Sequence, residues 1–168
     1  MVINRWRRVA GAIVLGIVLA LGLWSTAPAC AQDNQINYTL SDLKFRDFSN
    51  KDLSGTSLAG TESRGANFSG ADLSGTILTK ASFIGANLAD ADLTQAFADR
   101  VIFDEADLTN AIFEDAILSS STFNDVKADG ADFSNAILDR YWAKVLCDTA
   151  SGTNPVTGVM TKDSLGCR

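Results

Sequence analysis

Ala86-Asn87-Leu88-Ala89-Asp90-Ala91-Asp92-Leu93-Thr94-Gln95 is two copies of one five-residue phrase, and that phrase decides the fold. Stepping by five in both directions from Leu88 gives Leu43, Phe48, Leu53, Leu58, Ser63, Phe68, Leu73, Leu78, Phe83, Leu88, Leu93, Ala98, Phe103, Leu108, Phe113, Leu118, Phe123, Ala128, Phe133 and Leu138. All but Ser63, Ala98 and Ala128 are Leu or Phe. Two residues before each lies a second row dominated by Ala, with Ser, Thr or Val elsewhere and Arg46 and Lys51 breaking it near the start. A repeat of this regularity is read before any local structure.

Neither standard element accepts period five. In an α-helix five residues turn about 500°, so the Leu/Phe positions would share no face. In a flat strand an odd step flips the side chain each time. A chain that bends every five residues solves both problems, with two rows pointing inward and three positions outside. Gly55, Gly60, Gly65, Gly70, Gly75, Gly85 and Gly130 all stand two after the Leu/Phe position, where the bend calls for unusual φ. Small core positions at Ser63, Ala98 and Ala128 are expected to leave the axis under-filled unless neighbouring Phe rings compensate.

Stretches such as Ala71-Asp72-Leu73-Ser74-Gly75 and Ala86-Asn87-Leu88-Ala89-Asp90 resemble the consensus of the pentapeptide-repeat family, over about residues 41–140. The resemblance implies an all-β fold, a right-handed quadrilateral β-helix with four repeats per coil. That makes five coils, or a rod of about 24 Å at a spacing of about 4.8 Å. The expected organisation is 1–31 signal peptide, 32–40 lead-in, 41–140 β-helix and 141–168 C-terminal cap with a disulfide loop. Trp142, Val145 and Leu146 are suitable lids for the last coil, whose edge must be covered.

The first 31 residues read as an export signal. Arg5, Arg7 and Arg8 precede an apolar run from Val9 to Trp24, and Ala29-Cys30-Ala31 supplies a small-residue exit with cleavage after Ala31. The string Gly152-Thr153-Asn154-Pro155-Val156-Thr157-Gly158, ending Asp163-Ser164-Leu165-Gly166-Cys167, resembles the tail of pentapeptide proteins from the thylakoid lumen of cyanobacteria and chloroplasts. The expected address is therefore the thylakoid lumen, with the periplasm as alternative and no stable membrane span after cleavage. Of three cysteines, cleavage removes Cys30 and leaves Cys147 and Cys167, which are expected to pair in an exporting compartment.

Charge and composition exclude several function classes. The chain of 168 residues carries 14 Lys and Arg against 20 Asp and Glu, a net charge of −6. Bulk attraction to a phosphate backbone is disfavoured, so no nucleic-acid partner is expected. The absence of His removes His-based triads and the usual zinc sites. Ser, Asp and Lys are scattered by the repeat and not gathered around a cleft, so no enzyme, cofactor or metal site is expected.

The outward position before each Leu/Phe gives a map of four sides at period 20. One side reads Ser57, Ile77, Phe97, Ile117 and Ile137, an apolar ladder. Beside it Lys80, Arg100 and Arg140 form a basic edge. This face, Ile77, Phe97, Ile117, Ile137, Lys80, Arg100 and Arg140, is the candidate interaction surface for a protein partner or a second copy, because soluble monomers seldom expose such a patch. Cross-coil stacking is the purely structural reading of the same ladder. Another side carries Asp52, Asp72 and Asp92, whose like charges are expected to raise their pKa values. The functional expectation is a non-enzymatic scaffold or protein-interaction module of the lumen. A thiol-switched regulator working through Cys147 and Cys167 is the alternative. An acidic DNA mimic, as some cytoplasmic members of the family are, is a third that the export signal disfavours.

Overall fold

The computed structural model describes residues 37–168; the expected signal peptide and residues 32–36 lie outside the described residues. From Asn37 to Ile137 the backbone repeats one operation. Each outward residue is bridged in parallel to the residue 20 positions on, as in Asn37 to Ser57, Ser57 to Ile77 and Ile117 to Ile137. Residues 37–40, expected as lead-in, therefore already belong to the first coil. Most repeats make the same hydrogen bonds. Leu88 N–H donates to Asp107 C=O at 2.7 Å, Asp90 N–H to Thr109 C=O at 2.8 Å and Asn87 N–H to Ala66 C=O at 2.9 Å, while Ala91 N–H closes the corner on Leu88 C=O at 3.1 Å.

That corner is a four-residue turn with positive φ at its third residue, the position a type II turn requires. The requirement holds at every corner from Leu40 to Asn135, including Lys80 at 61°, Asp90 at 59° and Arg100 at 55°. Glycine is the cheapest occupant but not an obligatory one. At Gly130 a side chain would meet a further obstacle: a Cβ there would collide with Asn110 Oδ1, which would have to swing aside.

The inward rows form the core. Leu58, Phe68, Leu73, Leu78, Phe83, Leu88, Leu93, Phe103, Leu108, Phe113 and Leu118 are fully buried, and each contributes about 1.5–3 kcal/mol. Phenylalanines one coil apart stack face to face: Phe48 on Phe68 at 4.9 Å, Phe103 on Phe123 at 5.2 Å, Phe113 on Phe133 at 5.0 Å. Perpendicular pairs such as Phe68 with Phe83 at 5.3 Å cross the axis. Two of the three small core residues, Ser63 and Ala128, have larger companions in the row that usually carries Ala, whereas Ala98 follows Ala96. Buried Ser63 donates its hydroxyl to Thr61 Oγ1 at 3.3 Å, and Ala128 has Val126 packed against the core two residues before it.

Outside, an Asp or Asn in the position before the Leu/Phe turns back on its own backbone. Asp42 Oδ1 accepts from Lys44 N–H at 3.1 Å, Asp47 Oδ1 from Ser49 N–H at 3.0 Å, and Asn67 and Asn87 make the same bond to Ser69 and Ala89. Asp52 Oδ1 accepts both the hydroxyl and the N–H of Ser54, at 2.7 and 3.1 Å. At Asp52 these bonds correct the expectation that stacking raises the pKa. Hydrogen bonds from the Ser54 hydroxyl and N–H hold Asp52 below the usual carboxylate value. A local charge-assisted hydrogen bond outweighs repulsion between carboxylates that face water.

Past Ile137 the register ends and helix α1 (Arg140–Thr149) begins. Trp142 packs edge-on against Phe123 at 6.0 Å, Leu146 is fully buried and Val145 half-buried. Cys147 on α1 is bonded to Cys167, with Cα atoms 5.6 Å apart. Between them the chain lies along the Gly130 corner. Gly130 N–H donates to Ser151 C=O at 2.7 Å, and buried Asn154 donates Nδ2–H to the carbonyls of Asn110 and Gly130, each at 2.9 Å. A short helix, α2 (Thr161–Ser164), places the Ser164 hydroxyl 3.0 Å from Phe133 N–H.

The corner and the Asp turn can each be tested by substitution and by pH. Gly75→Asn should be nearly neutral, because a side chain there meets open space and Asn already occupies the equivalent corners at 50, 110 and 135. Gly130→Ala should cost about 1–3 kcal/mol in urea unfolding, from left-handed strain and the collision with Asn110. Because Asp42, Asp47 and Asp52 are depressed from 3.8, their contribution is fully present above that unfolded value and is lost as pH falls through the lower folded values. Stability should therefore be insensitive to these groups in mild acid and decline below about pH 4. Carboxyl NMR titration should show the Asp52 midpoint rising in Ser54→Ala; an unmoved midpoint would contradict the assignment.

Candidate interaction face

One side of the rod differs from the other three. Ser57, Ile77, Phe97, Ile117 and Ile137 follow one another by consecutive parallel bridges, so their side chains are spaced by the inter-coil distance of about 4.8 Å. Backbone pairing fixes them from both sides. Phe97 N–H donates to Thr76 C=O at 2.8 Å, and Phe97 C=O accepts from Leu78 N–H at 2.9 Å. Their backbones are thus immobilised while their side chains project away from the axis. Ile77, Phe97 and Ile137 are 45%, 51% and 58% exposed, and Ile117 between them is half-buried. The ladder is continuous and the sequence map placed all four residues correctly on one side.

The basic edge is only partly assembled. Lys80 and Arg100 occupy successive corners beside the ladder, both with positive φ and both exposed. Arg100 Nε donates to Asp99 Oδ2 at 2.7 Å, so its charge is partly offset locally. Arg140 is not a corner residue. Register is lost at Asp139, whose carboxylate turns back to accept Ser120 N–H at 3.1 Å, and Arg140 opens α1. It stands exposed at the end of the ladder, followed on the helix by exposed Tyr141.

The sequence map missed a second apolar feature. Leu40 and Phe45 are 80% and 77% exposed, at corners with φ of 59° and 57°. Their side chains lie over the next coil's corners, where a Cβ on Gly60 or Gly65 would approach either of them to 2.7 Å. The signal was available: they are the only apolar residues in the corner column. The Asp52, Asp72 and Asp92 row is brought together as bridged neighbours, but each carboxylate is committed to its own turn. Among the described residues no cluster of carboxylates or cysteines could hold a metal ion. Among them also, no helix is long and apolar enough to cross a membrane.

Comparison with known proteins agrees with the repeat. The model of pentapeptide repeats matches residues 39–75, 64–97 and 102–140. No curated protein matches the chain. Among solved structures, a pentapeptide repeat protein from the Arabidopsis thaliana thylakoid lumen is 35% identical over 76% of this chain and 88% of its own, with a TM-score of 0.74. A pentapeptide repeat protein from Nostoc is 24% identical over 70% of this chain and 84% of its own, with a TM-score of 0.43. The plasmid-mediated fluoroquinolone resistance protein QnrB1, trypsin-treated, is 21% identical over 67% of this chain and 69% of its own, with a TM-score of 0.42. The matched repeats span more than half of the sequence, and with the lumenal relative they show that the chain belongs to the pentapeptide repeat family.

Proposed function

We propose that this chain is a non-enzymatic scaffold or protein-interaction module of the thylakoid lumen, a right-handed rod of five coils with a C-terminal cap. It holds its partner on the ladder face. The observation that carries the reading is the unbroken strip Ile77, Phe97, Ile117 and Ile137, three of them about half exposed on a rigid backbone. Side chains this apolar serve the fold better inside it. Four in register along one side, with Lys80 and Arg100 at the rim, have the composition of an interface core with a charged border. The lumenal address rests on the export pattern of residues 1–31 and on the 35% identical lumenal relative from Arabidopsis.

The test is the double variant Phe97→Ser with Ile117→Ser. Neither side chain lies in an inward row, so circular dichroism and thermal unfolding should change little. Capture of a lumenal protein on the immobilised chain should weaken by more than about tenfold, the least that removing two buried apolar side chains implies. Sedimentation of the same variant separates a partner from self-association. Unchanged capture and unchanged sedimentation would leave the ladder a stacking device only.

A second reading rests on the bond between Cys147 and Cys167, which joins α1 to the chain end. In this reading, reduction of the bond loosens the cap and so regulates binding. Closing a loop of this length stabilises by about 3 kcal/mol on the chain-entropy model. The coils hold one another by neighbour contacts, so the loss should stay local. Reduction should accelerate hydrogen exchange in residues 141–168 and leave residues 43–118 protected. Global unfolding on reduction would contradict the local account, and partner capture indifferent to reductant would exclude the switch.

A further inference from the structure

The ladder runs between two borders of opposite charge. In each coil the chain enters this side over one corner and leaves it over another, as Phe97 lies between the corners at Gln95 and Arg100. The entry corners, from Ser54-Gly55 to Ser134-Asn135, hold Glu114 and Asp115 and no cation. The exit border holds Lys80 and Arg100 at its corners and Arg140 where the chain leaves the coil. Two carboxylates stand among these cations. Asp99 accepts from Arg100 Nε at 2.7 Å, and Asp139 is turned back to Ser120 N–H at 3.1 Å. A guanidinium has four N–H donors besides the one at Nε. Arg100 and Asp115 are exposed and Glu114 is half-buried. Along the rod Asp115 lies one coil beyond the level of Arg100, about 4.8 Å.

This arrangement selects an occupant. A surface of one sign, such as an anionic membrane, is attracted at Lys80 and Arg100 and repelled at Glu114 and Asp115. The surface that fits is an apolar strip with the charges of its borders exchanged. The ladder side itself, turned about a two-fold axis along the rod, is such a surface. The contact is isologous: what residue i of one copy meets, residue i of the other meets in turn. The exit border of each copy then lies over the entry border of the other. Ile77, Phe97, Ile117 and Ile137 face their own equivalents across the axis, at the separation of about 10 Å typical of packed sheets. Arg100 of each copy stands over the entry corners of the other, one coil from Glu114 and Asp115, an offset that long Arg and Glu side chains span. An axis across the rod would instead place exit border on exit border. It would gather Lys80, Arg100 and Arg140 of both copies together, and juxtaposed like charges suppress such a pairing.

We infer that the ladder side is the contact of a parallel two-fold dimer of this chain, with Arg100 of each copy paired to Glu114 and Asp115 of the other. The inference rests on the reading of the ladder as a docking face and names its occupant. Burial of the apolar strip supplies the attraction, and the charged borders set the direction in which the two rods run.

Sedimentation equilibrium of the parent over a concentration series should show the weight-average mass rising toward twice that of one chain. Two variants each reverse one border: Arg100→Glu, and Glu114→Lys with Asp115→Lys. Their fold should stand, because Glu105 and Lys80 already occupy corners and Lys44 occupies the slot equivalent to Glu114. Each variant alone sets like charges face to face and should dissociate at least tenfold more readily than the parent. An equimolar mixture of the two restores opposite charges at both contacts and should recover the association of the parent. Arg100→Ser, the residue at the next corner, should weaken association in the same direction and serves if Arg100→Glu does not fold. A parent that stays monomeric throughout the series overturns the proposal, as do single-border variants that associate as the parent does, or a mixture that fails to recover. Should the parent stay monomeric while Phe97→Ser with Ile117→Ser still loses capture of a lumenal protein, the ladder remains a docking face and only its occupant is wrong. Adsorption to anionic lipid vesicles that is lost in the same double variant assigns a membrane surface and overturns the dimer too.

Discussion

Everything in this molecule depends on the corner. A chain that must turn through a quarter of a coil every five residues needs one residue per repeat in the left-handed region. The structure meets this at every repeat, with Gly at seven corners and other residues at the rest. For a residue with a Cβ that conformation costs about 1 kcal/mol. The cost is met locally and repeatedly. The N–H of the corner residue donates to the next coil, as Asp90 does to Thr109, and the residue after it closes the turn. Asn and Asp tolerate the conformation better than most residues and fill many of the corners that Gly does not. Once the corner is fixed, the strand between corners is too short to do anything but present one side chain out and two in.

The inward rows were legible in the sequence because burial admits few residue types. Leu and Phe at one position and Ala at another recur because a Leu/Phe column and an Ala column are what the section holds. The Phe stacks along the axis then follow from the 20-residue repeat. The sides were legible for the same reason, since a map at period 20 needs only the count of four repeats per coil. What escaped were features set by single hydrogen bonds. The acidic row was read as a column of repelling charges, but Asp52 has a nearer donor in Ser54 than any carboxylate neighbour. Proximity of a donor within the same turn is a two-residue fact that a column hides.

Arg140 illustrates where periodicity stops being a guide. It falls in the corner column by arithmetic, yet Asp139 diverts its carboxylate to Ser120 and the chain leaves the coil as a helix. The tail was read as a cover from its apolar residues alone, and Trp142 and Leu146 do join the core. How it satisfies the polar edge was not legible. Asn154 reaches two carbonyls one coil apart with one amide group, a contact between residues 44 and 24 positions distant in sequence. No local pattern announces a bond of that range.

The division of labour between rows explains why a fold this uniform can still carry a specific function. Inward positions are constrained by packing and corner positions by φ, so neither is free to vary without cost to stability. The outward position before each Leu/Phe is constrained only through its backbone, which is why Asp, Asn, Ser, Thr, Ile, Phe and Lys all occupy it. Where it carries Asp or Asn it contributes to the turn, and where it carries Ile or Phe it gives that bond up. Ile77, Phe97, Ile117 and Ile137 therefore forgo a local hydrogen bond four times on one side, and regain only partial burial for it. A random scatter of such residues would be tolerated noise. Four of the six Ile and Phe residues at that outward position stand in one bridged column, a spatial pattern that the fold itself does not require, and contact with another surface is the physical effect that such a column adds.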